Sequence, residues 1–138
     1  RVVLDNRLPY HAVGDTKGFS VAPQSTKELV EHYNEARIFI NTHHISPIPT
    51  SLLEAMAMGC AVVSCNTCAV PNYIEHGVNG FLYNSDLQCF DYLQELLGDE
   101  KLAKSMGEKA RQTIIEKCSV KDFVTSWNNV FDLARKMK

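Results

Sequence analysis

The sequence lacks the features that mark several large classes of protein. Neither sign of charge is in excess, since 14 basic and 16 acidic residues leave a formal net charge of -2 over 138 residues. This balance provides no basic surface for nucleic acid or anionic lipid. The apolar runs are far too short to span a bilayer. A hydrophobic content of 45 % is enough for one domain with its own core, without metal or disulfide support.

The five cysteines are odd in number and scattered through apolar surroundings. One pair, Cys65 and Cys68, has C-x-x-C spacing. A zinc site would need a second such pair or histidines at ligand spacing, and a thioredoxin-type motif would open a helix rather than lead into Pro71. We therefore expect the cysteines to be small core residues in a reducing compartment, and we expect no metal.

Strand and helix patterns alternate along the chain, and Ser25 with Glu28 and Ser119 with Asp122 have the spacing of helix N-caps. The predicted elements are strand 1–4, strand 19–22, helix 25–36, strand 37–42, helix Ser51–Met58, strand 60–64, strand 80–84 and three helices after Asn84. This order predicts an α/β fold, a Rossmann-like three-layer parallel sheet with C-terminal helices. Ligands of such sheets bind at the carboxyl ends of the strands, which here are the loops near 43–49 and 65–69.

Glu54 is the one acidic residue in the apolar helix that begins beside the first of these loops. Ser51 and Glu54 have the spacing of a capping box, in which Glu54 would accept a hydrogen bond from the backbone N–H of Ser51. Alternatively, Glu54 faces a ligand. A phosphate on the amides of the helix N-terminus and a ribose diol on the carboxylate would together form a nucleotide half-site.

The segment SPIPTSLLEAMAMGCAVVSCNTCAVPNYIEHGVNGFLYN, residues 46–84, resembles the donor-binding signature of the glycosyl transferases group 1 family, which are retaining enzymes of GT-B fold. The family pattern is roughly E-G-x-x-x-x-L-L-E-A-M-A-x-G-x-P-V-V, then G-G-x-x-E, then G-x-N-G-x-L. LLEAMAMG and GVNGFL match it at the right separation. The resemblance implies a single nucleotide-sugar-binding lobe over residues 1–138, most of a C-terminal domain whose N-terminal acceptor domain is absent.

By this resemblance Glu54 holds the donor ribose, and Ser46 occupies the catalytic position of the family's first glutamate. A hydroxyl at position 46 carries no charge to orient sugar hydroxyls. The family's paired glycines fall on Cys68 and Ala69, and its next acidic residue on Asn72. The other donor-binding residues would be Ile48, Thr50 and Ser51, with the Leu52 amide as a further anion donor.

Other conspicuous residues receive plainer interpretations. We interpret His43 and His44 as loop residues that face solvent or the absent lobe, with hydrogen bonding to the donor or proton transfer as the alternative. Arg7 and Lys17 are interpreted as solvated loop charges. A stripe of aromatic residues on the last helix is interpreted as core, or as a face for the absent lobe, rather than as a base-stacking platform: Phe123, Trp127 and Phe131.

The resemblance implies a glycosyltransferase that moves a sugar from a UDP-, GDP- or ADP-linked donor to a sugar, lipid or protein acceptor, without a cofactor. This lobe alone is expected to be inactive. The alternatives are a non-catalytic nucleotide- or sugar-binding module, a sugar-nucleotide epimerase-like protein, and a flavodoxin-like interaction domain. The expected location is cytoplasmic, with a peripheral position at the inner face of a membrane as the alternative for the full-length protein. No nucleic acid partner is expected.

Overall fold

A computed structural model describes residues 7–137, so the strand predicted at 1–4 lies outside the described residues. The helices and strands follow the predicted alternation. They are α1 (Thr26–Glu35), β1 (Ile38–Asn41), α2 (Thr50–Ala57), β2 (Ala61–Cys65), a 3-10 turn (Val70–Asn72), β3 (Phe81–Tyr83), α3 (Asp86–Gly98), α4 (Glu100–Lys117) and α5 (Val120–Lys136).

The strands form a parallel sheet in the order β1-β2-β3. The central strand, β2, is buried at every position. Its alternate side chains enter two separate hydrophobic clusters: Ala61 and Val63 pack with α3 and α4, whereas Val62 packs with α2. Helices therefore cover both faces of the sheet, which confirms the predicted Rossmann-like α/β arrangement.

Helix α4 contributes to both clusters, because Met106 belongs to one and Ala110 to the other. Its Gly107 lies against the backbone of Gly59 and Cys60, just before β2 begins. Helix α4 thus closes the amino end of β2. The carboxyl ends of the strands, where ligands bind in such sheets, lie at the opposite edge.

Side-chain caps hold four of the described helix starts, and at α4 the carboxylate of Asp99 accepts from the backbone N–H of Leu102 over 2.9 Å. The hydroxyl oxygens of Ser25, Ser85 and Ser119 accept hydrogen bonds from the third residue of their helices. The caps predicted at Ser25 and Ser119 are therefore confirmed. Helix α2 ends at Ala57, and the predicted stop residue Gly59 follows its C-cap with a φ of +82° that suits glycine.

Three predictions about packing are wrong. Residues 19–22 form no strand, because only an isolated bridge joins Val13 to Val21 and Val21 is 75 % exposed. Two of the five cysteines, Cys68 and Cys118, are exposed rather than core residues. The interpretation of the aromatic stripe of α5 as core is wrong, since this helix has no buried residue and Trp127 is 48 % exposed. The alternative, a face for the absent lobe, stays a prediction.

None of the helices in the described range 7–137 is both long and apolar enough to cross a membrane.

Candidate functional site

Two loops meet at the carboxyl edge of the sheet; we call them the strand-end loops, residues 42–49 after β1 and residues 66–69 after β2. The backbone N–H of Ala69 donates to the carbonyl of Pro47 over 2.9 Å. The thiol of Cys65 donates to the carbonyl of His43 over 2.8 Å. The sequence predicted ligand binding at these loops, and the structure joins them into one surface.

Helix α2 begins beside this surface without a side-chain cap. Pro49 occupies the N-cap position and supplies no capping hydrogen bond. The amide of Leu52 donates to the Pro49 carbonyl over 3.1 Å, so it is not available as the anion donor that was predicted. Among residues 7–137 we find no hydrogen-bond acceptor for the amides of Ile48, Thr50 and Ser51. A helix start with unpaired N–H groups and a positive dipole end is suited to an anion.

Glu54 does not cap α2. The helix starts at Thr50, so Ser51 lies inside it and the first turn contains no acidic residue. The carboxylate Oε2 instead accepts a hydrogen bond from the hydroxyl of Tyr33 over 2.9 Å. The capping-box interpretation is therefore wrong. The exposed carboxylate keeps other lone pairs that can accept hydrogen bonds from a diol.

Tyr33 supports Glu54 from α1 and was not predicted as part of the site. Burial, followed by the hydrogen bond and charge of Glu54, raises the pKa of its hydroxyl well above the usual range. Tyr33 therefore remains a neutral donor and fixes one carboxylate oxygen. The sequence does contain an indication of this role. Tyr33 lies on the sheet-facing side of α1, and a tyrosine hydroxyl in such a position needs a polar partner.

The remaining predicted donor-binding residues lie on the strand-end loops or at the start of α2. Ser46 and Ile48 are half-buried and Thr50 is exposed. Lys17 and Arg7 are exposed, as the interpretation of solvated charges requires. The amide of Ala69 donates to Pro47 and its carbonyl accepts from the N–H of Asn72 over 3.0 Å, so its small side chain is the part left to face a ligand.

Cys68 has a left-handed backbone conformation, with φ of +51°. A residue with a Cβ adopts this conformation at a cost of roughly 1–2 kcal/mol. The family resemblance places a glycine at this position, and the left-handed conformation of Cys68 is one that glycine adopts without strain. The exposed thiol therefore occupies a strained position within the strand-end loop after β2.

We expect Cys68→Gly to raise the free energy of unfolding by about 1 kcal/mol, because relief of the strain exceeds the extra entropy of glycine in the unfolded chain. Urea denaturation under reducing conditions measures the change. Ala69→Gly is the matched control. Its backbone angles, φ -91° and ψ 2°, suit alanine, so it should lower the stability. Equal destabilisation by both variants would contradict the strain at Cys68.

Comparison with known proteins identifies this arrangement as one lobe of a GT-B glycosyltransferase fold. S. aureus TarM, in the crystal structure of a mutant with Fondaparinux, alpha-GlcNAc-glycerol and UDP, superposes with a TM-score of 0.79 at 24 % identity, over 94 % of this chain and 30 % of that one. Anabaena HepE in complex with UDP superposes with a TM-score of 0.73 at 18 % identity, over 83 % of this chain and 31 % of that one.

The sequence profile described as "Glycosyl transferases group 1" matches residues 15–113, and the chain belongs to this family. It is 32 % identical over 82 residues, 58 % of the chain, to the N-acetyl-alpha-D-glucosaminyl L-malate synthase of Bacillus anthracis. It is 29 % identical over 119 residues, 84 % of the chain, to the poly(ribitol-phosphate) alpha-N-acetylglucosaminyltransferase of Staphylococcus aureus (strain COL). The matched regions span only 22 % and 23 % of these relatives' lengths.

Proposed function

We propose that this chain is the donor-binding lobe of a two-lobe glycosyltransferase that uses a nucleotide sugar. The observation that carries the proposal is the uncapped start of α2 beside the carboxylate of Glu54, which Tyr33 holds in place. In a chain of the glycosyl transferases group 1 family, this pairing suits a nucleoside diphosphate. The amides of Ile48, Thr50 and Ser51 would bind phosphate, and Glu54 would bind the ribose diol.

The proposed reaction is transfer with retention of configuration. The nucleoside diphosphate leaves the anomeric carbon, a hydroxyl oxygen of the acceptor held by the second lobe bonds to the same face of that carbon, and the hydroxyl proton passes to the leaving diphosphate. Amide donors at α2 would stabilise the charge that develops on the leaving diphosphate, without a metal ion. Ser46, Cys68 and Ala69 would lie near the donor. The UDP in the TarM and HepE structures supports a nucleotide-sugar donor for this chain as well.

Nuclear magnetic resonance titration of the isotopically labelled chain with UDP, GDP and ADP tests the proposal. We expect shifts at residues 46–54 and 68–70 with at least one nucleotide. Glu54→Gln should weaken that binding about ten-fold or more, since charged hydrogen bonds to the ribose become neutral ones. The amide can still accept from Tyr33, so the fold should be unchanged.

Glu108→Gln is the matched control, because it removes one exposed carboxylate from α4. It should leave the dissociation constant unchanged. An equal loss of affinity in both variants would indicate a general charge effect rather than a ribose contact. Failure of every nucleotide to bind either this chain or the two-lobe protein would contradict the proposed function.

A non-catalytic nucleotide-binding module is the second candidate. It is favoured by Ser46, which supplies no carboxylate at the position where the family resemblance places one. Pro47 and Pro49 also remove two backbone N–H groups from the strand-end loop after β1. The two candidates differ in turnover. Release of nucleoside diphosphate by the two-lobe protein, dependent on acceptor and reduced by Glu54→Gln, would exclude the module.

A further inference from the structure

His43 lies on the strand-end loop after β1 and is fixed by four polar contacts although its residue surface is exposed. Its backbone N–H donates to Oδ1 of Asn41 over 3.2 Å, and its Nδ1 lies 2.9 Å from the same oxygen. Its carbonyl accepts from the thiol of Cys65 over 2.8 Å and from the hydroxyl of Thr67 over 3.4 Å. These contacts hold the backbone of His43 and one nitrogen of its ring in a fixed place.

The orientation of the Asn41 amide follows from these contacts. Asn41 is 1 % exposed, and its Nδ2 donates to the hydroxyl of Ser64 over 2.8 Å. The Ser64 hydroxyl in turn donates to the Cys65 carbonyl over 3.1 Å. A backbone N–H can only donate, so the Asn41 atom that faces the N–H of His43 must be the oxygen. Each hydrogen bond in this buried series, from Nδ2 of Asn41 to Ser64 and from Ser64 to the Cys65 carbonyl, therefore has a fixed donor and a fixed acceptor.

The tautomer of His43 follows in turn. The amide oxygen of Asn41 can only accept, so Nδ1 of His43 must carry the proton that lies between them. In the neutral imidazole, Nε2 then has a lone pair and no proton. Within residues 7–137, Nε2 has no hydrogen-bond partner. His43 therefore presents a pre-oriented acceptor at the carboxyl edge of the sheet.

We propose that His43 is a donor-binding residue whose Nε2 accepts a hydrogen bond from a hydroxyl of the donor sugar. This inference rests on the proposed function. A diphosphate carries no proton to donate at neutral pH, so a neutral Nε2 needs a hydroxyl or an N–H as its partner. Among the hydroxyls of the donor, those of the ribose are assigned to Glu54, which leaves those of the sugar. Ser46, in the same loop, has no carboxylate to accept from sugar hydroxyls, and His43 supplies an acceptor there instead.

The tautomer is tested first, in long-range proton–nitrogen correlation spectra of the chain labelled at its histidines. At about pH 8, the neutral ring of His43 should have its proton on Nδ1. His44 is the internal reference, because it is exposed on the same loop and has no such partner among the described residues. A proton on Nε2 of His43 would overturn the inference, whatever the binding data.

Binding is tested with His43→Ala and His44→Ala in the two-lobe protein. The probes are UDP with UDP-glucose, GDP with GDP-mannose, and ADP with ADP-glucose. His43→Ala should weaken binding of the nucleotide sugar about two- to ten-fold, the loss of one uncharged hydrogen bond, and leave binding of the diphosphate unchanged. His44→Ala should change neither. Amide spectra of both variants check that the fold is intact.

The outcomes separate this inference from the proposed function. If nucleotides bind and depend on Glu54, but His43→Ala has no effect or weakens diphosphate and nucleotide sugar equally, the inference is overturned and the function stands. If none of the probes binds the unaltered two-lobe protein, the proposed function fails and the inference fails with it.

Discussion

Gly107→Ala is expected to lower the free energy of unfolding by about 3 kcal/mol, at the upper end of the range for overpacked sites. A Cβ at position 107 would overlap the carbonyl oxygen of Gly59 and lie 2.9 Å from its carbonyl carbon. It would also lie 3.2 Å from the carbonyl carbon of Cys60. All three obstacles are backbone atoms, which cannot rotate away. The gain in helix propensity of about 1 kcal/mol offsets only part of this cost.

Gly98→Ala is the matched control for this substitution. Gly98 ends α3, and a Cβ there would meet no atom within 4 Å. The free energy of unfolding of Gly98→Ala should be unchanged or slightly higher than that of the unaltered chain. Urea denaturation of the two variants beside the unaltered chain measures both effects. Equal stability of Gly107→Ala and Gly98→Ala would contradict the close backbone contact between α4 and the turn at Gly59.

The contact at Gly107 also affects the position of the candidate functional site. Gly59 forms the turn between α2, whose start carries the unpaired amides, and β2, whose end leads into the second strand-end loop. Displacement of α4 would push on this turn and shift both elements. We therefore expect any Gly107→Ala protein that still folds to bind nucleotide less tightly, although position 107 lies at the opposite end of β2.

The sequence predicted the sheet and its carboxyl-edge loops because these depend on local patterns. Short apolar runs mark β1 and β2, and Ser25 and Ser119 have the spacing of caps. The resemblance to the glycosyl transferases group 1 family also predicted the family, which the sequence profile confirms. The assignment of Glu54 to the ribose stays a prediction.

The surroundings of Glu54 could not be predicted in this way. Local spacing favoured a capping box with Ser51, yet the helix starts earlier, after Pro49, and the carboxylate meets Tyr33 from another element, 21 positions away. Likewise, apolar spacing on α5 cannot distinguish a buried face from an exposed one. Trp127 has the correct helical spacing for a core residue and is half-exposed. Both errors arise because packing partners are set by tertiary structure.

Asn79 shows how a motif can have a structural explanation that its letters do not reveal. It is the asparagine of GVNGFL and is 5 % exposed. Its Oδ1 accepts from the backbone N–H of Glu75 over 2.7 Å. Its Nδ2 donates to the Tyr73 carbonyl over 3.0 Å and to the Thr113 hydroxyl over 2.8 Å. One side chain thus folds the segment 73–80 and ties it to α4.

We expect Asn79→Ala to lower the free energy of unfolding by about 3 kcal/mol. The substitution removes three part-buried hydrogen bonds, to the N–H of Glu75, the carbonyl of Tyr73 and the hydroxyl of Thr113, and each such bond contributes about 1 kcal/mol. Asn79→Asp should also destabilise, because it keeps an acceptor for Glu75 but turns a carboxylate oxygen toward the Tyr73 carbonyl. Thermal and urea denaturation measure both variants.

Asn84→Ala provides the contrast, since Asn84 is exposed and, within the described part of the chain, its side chain bonds only to Asn66, over 3.2 Å. A surface pair of this kind contributes little, so stability should change by less than about 0.5 kcal/mol. If Asn79→Ala were as mild as Asn84→Ala, water would be replacing the lost amide, and the segment 73–80 would be held by its turn rather than by α4. If it is severe, the asparagine of this motif is needed for folding. Its loss would then reduce nucleotide binding indirectly, in proportion to the unfolded fraction, whereas Glu54→Gln would reduce binding in a fully folded chain.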